Sequence, residues 1–249
     1  MELKVIAYAR NGHTDKFGIP RQSREESPIL TRIVFEPEFR VAEALRGIEG
    51  YSHLWLIWGF DKVECQKSRA ESDSWSPTVR PPRLGGNKRM GVFATRSPFR
   101  PNPIGLSSVR LVGIEDGDLI VSGADVLDGT PIYDIKPYLS FSDSHEDAKN
   151  GFAEEHKDRR LDVDWEMIGL TTDQSPTNHL LITYYSPTNH LLLDAKTKEA
   201  IEYILSQDPR PGYQEDPERE YKMDYAGWNV TFTVHAQEVH VKKIQKIQK

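Results

Sequence analysis

The 249-residue sequence has a single cysteine, Cys65, and its longest apolar run is Leu54–Phe60. One cysteine excludes an intrachain disulfide and a multi-cysteine metal site, and it favours a reducing, cytosolic compartment. The apolar run is far shorter than the roughly 20 residues needed to cross a bilayer. The first ten residues, MELKVIAYAR, show no basic segment followed by an apolar core, so we expect no secretory signal. The sequence predicts a cytoplasmic protein without membrane spans.

Several functional motifs are also absent. The sequence contains neither G-x-G-x-x-G nor G-x-x-x-x-G-K-[ST], which argues against a Rossmann dinucleotide site and a P-loop. It shows no serine nucleophile elbow. No spacing of His, Asp and Glu resembles a metal site, so we expect no metal. His53 lies in an apolar strand pattern, where a hydrogen-bonded core histidine is the ordinary expectation.

Acidic residues are missing from a long internal segment. None occurs between Asp73 and Glu115, although the chain carries a net charge of −6. Two interpretations remain: a solvated face balanced by distant acids, or an anion site. The proline and glycine content favours the anion site, because binding groups are often placed on loops. The segment contains these basic residues: Arg80, Arg83, Lys88, Arg89, Arg96, Arg100 and Arg110.

Short strand patterns separated by turn residues occupy the first 140 residues. The spacing of apolar residues predicts one helix there, at Pro37–Ile48. This pattern indicates a mainly β protein, a β-barrel or sandwich, and not a doubly wound α/β sheet. The predicted strands are Leu3–Ala9, Ile29–Phe35, Tyr51–Phe60, Met90–Thr95, Ile104–Ile114, Asp118–Val126 and Thr130–Leu139.

The composition changes after residue 142. Ser142–Asp164 is acidic and polar, and we expect an exposed linker. The heptapeptide SPTNHLL occurs at Ser175–Leu181 and again at Ser186–Leu192, a local duplication too short for a repeat architecture. Asp194–Ser206 predicts a helix capped by its aspartate, and Gly227–Val234 predicts a strand. We therefore expect a barrel over 1–142, a linker over 143–160 and a small α+β unit over 161–249.

Three segments could carry chemistry. Pro20-Arg21-Gln22 follows the first strand, and rigid turns around Arg96 and Arg100 suit phosphate or carboxylate binding. Asp134 lies in an apolar strand, where an unpaired carboxylate is costly, so it needs either a structural ion pair or a functional task.

Together these segments resemble the TsaA-like (TrmO) family of tRNA methyltransferases, which methylate N6 of N6-threonylcarbamoyladenosine beside the anticodon, at position 37. The block centred on RMGVFATRSPFRPNPIG is long and specific, while Glu146–Asp194 shows no family pattern. The motifs that carry the resemblance are IPRQ, GIEGYSHLWLIWGF, PTVRPPRLGGNKRMGVFATRSPFRPNPIGLS, ADVLDGTPIYDIKPYL and SQDPRPGY.

The resemblance implies an antiparallel β-barrel that binds S-adenosylmethionine without a Rossmann fold, and a homodimer. It also implies that the protein binds tRNA at the anticodon stem-loop. The C-terminal unit is expected to contact the tRNA as well. The expected cofactor residues are Arg21, Gln22, Ser23, Phe60, Asp61, Arg96, Leu106, Ile132, Tyr133, Asp134 and Ile135. The expected tRNA-binding residues are Arg80, Arg83, Lys88, Arg89 and Arg100, with Phe99 as a platform for loop bases.

The acceptor nitrogen is urea-like and a poor nucleophile while it keeps its proton. We expect a carboxylate to help remove that proton, with Asp134 the first candidate and Asp128 the second. An arginine, one of Arg83, Arg89, Arg96 or Arg100, could bind the threonine carboxylate. Two alternatives remain: a non-catalytic module that senses S-adenosylmethionine or a nucleotide, and an RNA-binding barrel without a cofactor.

Overall fold

The computed structural model describes residues 2–20, 22–23, 26–60, 75–81, 88–156, 160–165, 170–173, 181–186, 189–210 and 216–247. Within these ranges no helix is both long and apolar enough to span a membrane.

A closed antiparallel barrel forms the N-terminal part of the molecule. Six strands close it in the order β1-β2-β7-β6-β3-β8, and β4 pairs with β5 outside the barrel. The predicted antiparallel β-barrel is therefore confirmed. The strands are β1 (Ala7–Arg10), β2 (Leu30–Phe35), β3 (His53–Gly59), β4 (Thr78–Val79), β5 (Met90–Gly91), β6 (Ile104–Glu115), β7 (Asp118–Ser122) and β8 (Pro131–Pro137).

The barrel core follows from alternation along the strands. Along β2 and β6 buried residues alternate with more exposed ones, as expected for strands with one face on the core. Fully buried aliphatic side chains meet in the barrel centre, among them Ile33, Leu54 and Leu56. Each contributes roughly 1.5–3 kcal/mol by leaving water. The paired strands β3 and β6 then present their ends to the loops that form the site.

The predicted helix at Pro37–Ile48 is wrong. The chain forms two short 3₁₀ turns there, Ala42–Leu45 and Ile48–Gly50. Val41 is extended, and Gly47 adopts a left-handed conformation with φ 86°. The residues between them are too few for a stable α-helix, which is why helical spacing misled the prediction.

The predicted strand at Met90–Thr95 is only partly correct. β5 ends at Gly91, and Val92–Ala94 form a 3₁₀ turn. The backbone N–H and the hydroxyl of Thr95 both donate to the carbonyl of Val92, at 3.1 and 2.9 Å. These two bonds close the turn and stop the strand. Val92 is buried while Phe93 is exposed.

The C-terminal part contains two sheets and one long helix. β9 lies parallel to β15 in a sheet of order β13-β14-β15-β9, and β10-β11-β12 form a second sheet. The elements are α1 (Ser140–Asp143), β9 (Asp162–Asp164), β10 (Leu170–Asp173), β11 (Leu181–Ser186), β12 (Asn189–Asp194), α2 (Ala195–Ser206), β13 (Tyr221–Tyr225), β14 (Trp228–His235) and β15 (Glu238–Lys246).

The predicted C-terminal helix and strand are confirmed. α2 begins after Asp194, whose carboxylate accepts the backbone N–H of Thr197 at 2.9 Å, the expected N-cap bond. The acidic segment Ser142–Asp164 is not a linker throughout, because it ends in β9 and buries Leu161. The first SPTNHLL copy lies outside the described residues except Leu181, and the second contributes Ser186 to β11 and Asn189–Leu192 to β12.

The loop after β1 packs against the C-terminal sheet. The backbone N–H of Ala226 donates to the carbonyl of Gly12 at 2.9 Å, and the ring of His13 meets Tyr225 edge-on at 5.2 Å. Phe17 stacks near Tyr221, with ring centroids 6.1 Å apart. The C-terminal unit therefore positions this loop, whose next residues border the candidate site.

Candidate active site

A cavity of about 590 Å³ opens at one end of β3 and β6. Its walls come from the loop after β1 (16–20), the end of β3, the loop 96–100, the start of β6 and the loop 125–130 before β8. The volume suits a cofactor-sized organic ligand, and barrel mouths are common sites for such ligands. Five segments that are distant in sequence thus meet around one space.

Aromatic and aliphatic side chains line one side of the cavity. The rings of Trp58 and Phe60 lie 4.3 Å apart, and Phe99 and Leu106 are exposed to solvent at the same cavity. A methyl group at Gly105 would overlap the Trp58 indole, its cross-strand neighbour. Glycine at 105 therefore lets the indole lie flat across the strand pair.

The carboxyl group of Asp125 also lines the cavity. Trp58 Nε1 donates to Ser107 Oγ at 2.8 Å, and Ser107 Oγ in turn donates to Asp125 Oδ1. Burial raises the pKa of the Asp125 carboxyl above its ordinary value, against the opposing effects of the Ser107 hydrogen bond and the Arg96 charge. The chain Trp58–Ser107–Asp125 fixes the carboxylate in the cavity with one orientation.

Two of the predicted cofactor residues form a hydrogen bond with each other. Arg96 Nη1 donates to Gln22 Oε1 at 2.6 Å. The backbone of Ser23 hydrogen-bonds Asp125. The first loop, the 96–100 loop and the 125–130 loop are therefore joined by polar contacts at the cavity. Of the predicted cofactor residues, Phe60, Arg96 and Leu106 line the cavity themselves.

Four of the predicted cofactor residues lie on β8, which pairs with β3. Ile132 is fully buried in the barrel core. Tyr133 packs over Gly59, where an added methyl group would overlap its ring. Asp134 and Ile135 follow on the same strand. None of these four is among the described residues that line the cavity. Arg21 and Asp61 lie outside the described residues.

Both carboxylates proposed from sequence as proton acceptors have partners. Asp134 pairs with Lys136 Nζ at 2.8 Å, accepts the backbone N–H of Ile135, and is 45% exposed. Asp128 accepts the backbone N–H of Asn11 at 3.1 Å and lies 3.6 Å from Arg10 Nη1. The neighbours of Asp128, Leu127 and Gly129, line the cavity. Sequence reasoning passed over Asp125, although it lies in the same ADVLDGTP motif.

The predicted tRNA-binding cations form two groups. Arg80, Lys88 and Arg89 are exposed beside β4 and β5, and Arg89 Nη1 donates to Thr78 Oγ1 at 3.0 Å. Arg100 lines the cavity and donates to the carbonyl of Thr95 at 3.3 Å. Arg83 lies outside the described residues. The basic groups therefore extend from the cavity to the β4–β5 ladder.

A closed barrel whose mouth holds an aromatic wall, a fixed carboxylate and several cations defines a protein that binds a small organic ligand and an anionic partner. Comparison with known proteins names the family. Residues 8–144 match the tRNA-methyltransferase O N-terminal domain, and residues 187–247 match the TrmO C-terminal domain. The chain belongs to the TrmO family and is an enzyme of the tRNA methyltransferase class, as the motifs indicated.

Individual relatives agree with this assignment. The chain is 34% identical over 242 residues to the "tRNA (adenine(37)-N6)-methyltransferase" of Escherichia coli K12, covering 94% of this chain and 91% of the relative. It is 41% identical over 220 residues to the "Putative S-adenosylmethionine-dependent methyltransferase RcsF" of Pseudomonas aeruginosa, covering 88% and 86%. A crystal structure of TrmO from Pseudomonas aeruginosa superposes with a TM-score of 0.69 at 30% identity, covering 98% of each chain.

Proposed function

We propose that this enzyme transfers a methyl group from S-adenosylmethionine to N6 of N6-threonylcarbamoyladenosine at position 37 of tRNA. The product is N6-methyl-N6-threonylcarbamoyladenosine, and the reaction takes place in the cytoplasm, where tRNA is available. The observation that carries the proposal is the cavity, which joins an aromatic wall, a fixed carboxylate and two arginines in a chain of the TrmO family.

The cavity fits S-adenosylmethionine by its chemistry. Phe60 and the exposed ring of Phe99 line the cavity and offer faces on which an adenine ring can stack. Asp125 offers the negative charge that complements an ammonium or sulfonium group, and Arg96 offers the positive charge that complements a carboxylate. The bound molecule supplies an activated methyl group on a positively charged sulfur. The protein's part is to hold the acceptor nitrogen in line with that group and to exclude water.

Asp125 is the carboxylate that we assign to proton removal. As the lone pair of N6 bonds the methyl carbon, the carbon–sulfur bond breaks and its electron pair stays on sulfur. The N6 proton passes to Asp125, which later releases it to solvent. The support is its place in the cavity wall and its raised pKa. Asp134 pairs with Lys136 and is not among the described residues that line the cavity, and the same test examines it as the alternative that the sequence suggested.

Arg100 is the residue that we assign to the threonine carboxylate of the substrate. Arg96 is bonded to Gln22 and Arg89 to Thr78, whereas Arg100 lines the cavity and is anchored only through Nη1 in the contacts described. A guanidinium binds a carboxylate through two parallel hydrogen bonds. This contact would favour threonylcarbamoyl-modified tRNA over unmodified tRNA.

We further propose a homodimer through the outer face of β6. Ile104, Leu106 and Val112 of this strand are exposed apolar residues, and exposed Arg110 lies between the last two. Exposed apolar residues close together are typical of an interface between protein chains. Leu106 also lines the cavity, so the interface would border the site. A Val112→Glu variant that sediments as a monomer, beside a dimeric wild type, supports this; a monomeric wild type contradicts it.

The experiment that tests the proposed function measures transfer of labelled methyl from S-adenosylmethionine to two preparations of threonine tRNA, with and without the threonylcarbamoyl group. We expect label only in the modified tRNA. Label in both would limit the proposal to adenosine N6 methylation. If S-adenosylmethionine binds and neither tRNA is labelled, the sensing module replaces the enzyme proposal for these substrates.

A further inference from the structure

Two exposed aromatic rings meet outside the barrel. Trp75 is 49% exposed and Phe93 is 72% exposed, and their ring centroids lie 5.6 Å apart at an interplanar angle of 41°. Neither ring belongs to the two described core clusters. Exposed aromatic rings contribute little to the stability of the fold. A pair of them on the surface therefore indicates a binding site.

The β4–β5 ladder holds the two rings together. Thr78 pairs with Gly91 in this antiparallel ladder, so the residues before β4 and after β5 lie at the same end. The backbone N–H of Val92 donates to the carbonyl of Pro77 at 2.9 Å. The buried side chain of Val92 anchors the turn that presents Phe93 outward. The pair is therefore held by the backbone and does not depend on a loose surface contact.

The basic residues at the other end of the two-residue ladder indicate the charge of the partner. No acidic residue occurs between residues 73 and 115, and Arg80, Lys88 and Arg89 are exposed beside the ladder. Aromatic rings flanked by cations are the combination that binds single-stranded nucleic acid, where bases stack on rings and cations meet phosphates. An apolar or basic protein partner would leave this concentrated positive charge without a counterpart.

The pair also lies near the cavity. Phe93 precedes Arg96 by three residues, so their Cα atoms are at most about 10 Å apart by chain length, and Arg96 lines the cavity. A nucleotide that enters the cavity must leave its stack, and its neighbours then expose their faces. The bases next to a nucleotide bound in the cavity can therefore reach the rings of Trp75 and Phe93.

We propose that Trp75 and Phe93 form a stacking platform for unpaired anticodon-loop bases next to the methylated adenosine. The inference rests on the proposed function in that it takes tRNA as the substrate. A base stacks on the outer faces of the tilted pair, while Arg80, Lys88 and Arg89 bind the adjoining phosphates. Phe99, which the sequence suggested as a platform for loop bases, lines the cavity, and we assign the stacking of these bases to Trp75 and Phe93 instead.

The test compares Phe93→Ala and Trp75→Ala with a matched control, Phe141→Ala. Phe141 is 87% exposed on α1, which Trp55 anchors by donating from Nε1 to Asp143 at 2.7 Å. It is an exposed ring on an ordered turn outside the basic segment. We expect each platform variant to raise the KM for tRNA roughly tenfold. The affinity for S-adenosylmethionine should stay at the wild-type value, and Phe93→Tyr should restore binding.

Salt dependence separates stacking from charge. Binding of an anticodon stem-loop RNA is measured by fluorescence anisotropy at several salt concentrations. Phe93→Ala should weaken binding without changing the slope of log K against log[salt], whereas Arg89→Ala should lower the slope by about 1. Platform variants that bind RNA as tightly as Phe141→Ala overturn the inference, even if methyl transfer proceeds. If the wild type transfers no methyl group but its RNA binding still depends on Phe93, the proposed function is overturned and this inference stands.

Discussion

Arg96 donates from Nη1 to Oε1 of Gln22 at 2.6 Å, which joins two loops separated by 74 residues in sequence. The bond holds the guanidinium beside Asp125, whose carboxylate experiences the Arg96 charge. Gln22 therefore orients the guanidinium of Arg96, which we assign to binding the carboxylate of S-adenosylmethionine.

The first prediction removes this orientation. Gln22→Ala should weaken binding of S-adenosylmethionine several-fold, about 1 kcal/mol, because a hydrogen bond to a charged group is lost at a solvent-exposed position. Gln22→Glu keeps an acceptor but neutralises the Arg96 charge that we assign to the cofactor carboxylate, so it should also weaken binding. Isothermal titration calorimetry checks both variants. Equal affinities for Gln22→Ala and wild type would show that Arg96 needs no support from Gln22.

The second prediction compares the two carboxylates. Asp125→Asn keeps the side-chain shape and the acceptor for Ser107 but cannot take a proton, so kcat should fall roughly 10²–10⁴-fold. Asp134→Asn should change kcat by less than about threefold, because Asp134 already pairs with the exposed Lys136 and is not among the described residues that line the cavity. Single-turnover methyl transfer at saturating tRNA measures both. The opposite result assigns the proton to Asp134, as the sequence alone suggested.

The third prediction concerns pH. The proposed proton acceptor works as a carboxylate, so kcat should fall as the pH falls through the pKa of Asp125. Burial raises that pKa above the ordinary value for aspartate, so the acid limb should lie at higher pH than for an exposed aspartate. In Asp125→Asn the residual rate should lose this limb. A pH profile that is the same in wild type and Asp125→Asn argues against Asp125 as the titrating group.

The motifs predicted part of the candidate cavity, since Phe60, Arg96 and Leu106 of the eleven expected cofactor residues line it. IPRQ and FATRSPFR supplied Gln22 and Arg96, which the barrel brings into contact. Asp134 drew attention because a carboxylate in an apolar strand needs a partner, and Lys136, two residues on and therefore on the same strand face, supplies it. Asp125 gave no such signal, because its partners Ser107 and Arg96 come from other segments.

The failed helix at Pro37–Ile48 has a similar cause. Apolar spacing cannot detect that Gly47 takes a left-handed conformation, which depends on how the chain must turn toward β3. The barrel itself was predictable, because short strands with frequent turns leave few other architectures. The contacts between segments distant in sequence were not predictable, and the chemistry of the cavity depends on these contacts.

The fourth prediction tests the aromatic wall. Gly105→Ala places a methyl group against the Trp58 indole, which must move away from Ser107. Overpacking of this kind costs about 1–3 kcal/mol of stability. Affinity for S-adenosylmethionine should fall as the wall is displaced. Gly113→Ala, on the same strand β6 with nothing within 4 Å of its added methyl group, is the matched control. Calorimetry and urea unfolding of both variants check the prediction, and equal behaviour of the two would contradict it.

The fifth prediction concerns the contact between the first loop and the C-terminal sheet. His13 is buried against Tyr225, and among the described residues neither of its ring nitrogens has a hydrogen-bond partner. Burial lowers the pKa of His13 from 6.5 to about 4. The folded state thus binds the proton less readily than the unfolded state. Its contribution to stability is present above pH 6.5 and is lost as the pH falls from 6.5 toward 4.

The loss should reach about 3 kcal/mol at pH 4, relative to a variant without the titrating ring. His13→Phe keeps an aromatic ring beside Tyr225 and should flatten this part of the dependence of unfolding free energy on pH. His145→Gln, at an exposed position, should leave the dependence as in the wild type. Urea unfolding at pH 7, 5.5 and 4 compares the three proteins. If His13→Phe loses as much stability as the wild type on acidification, His13 is protonated in the folded state, and the barrel and C-terminal sheet accommodate that charge at their contact.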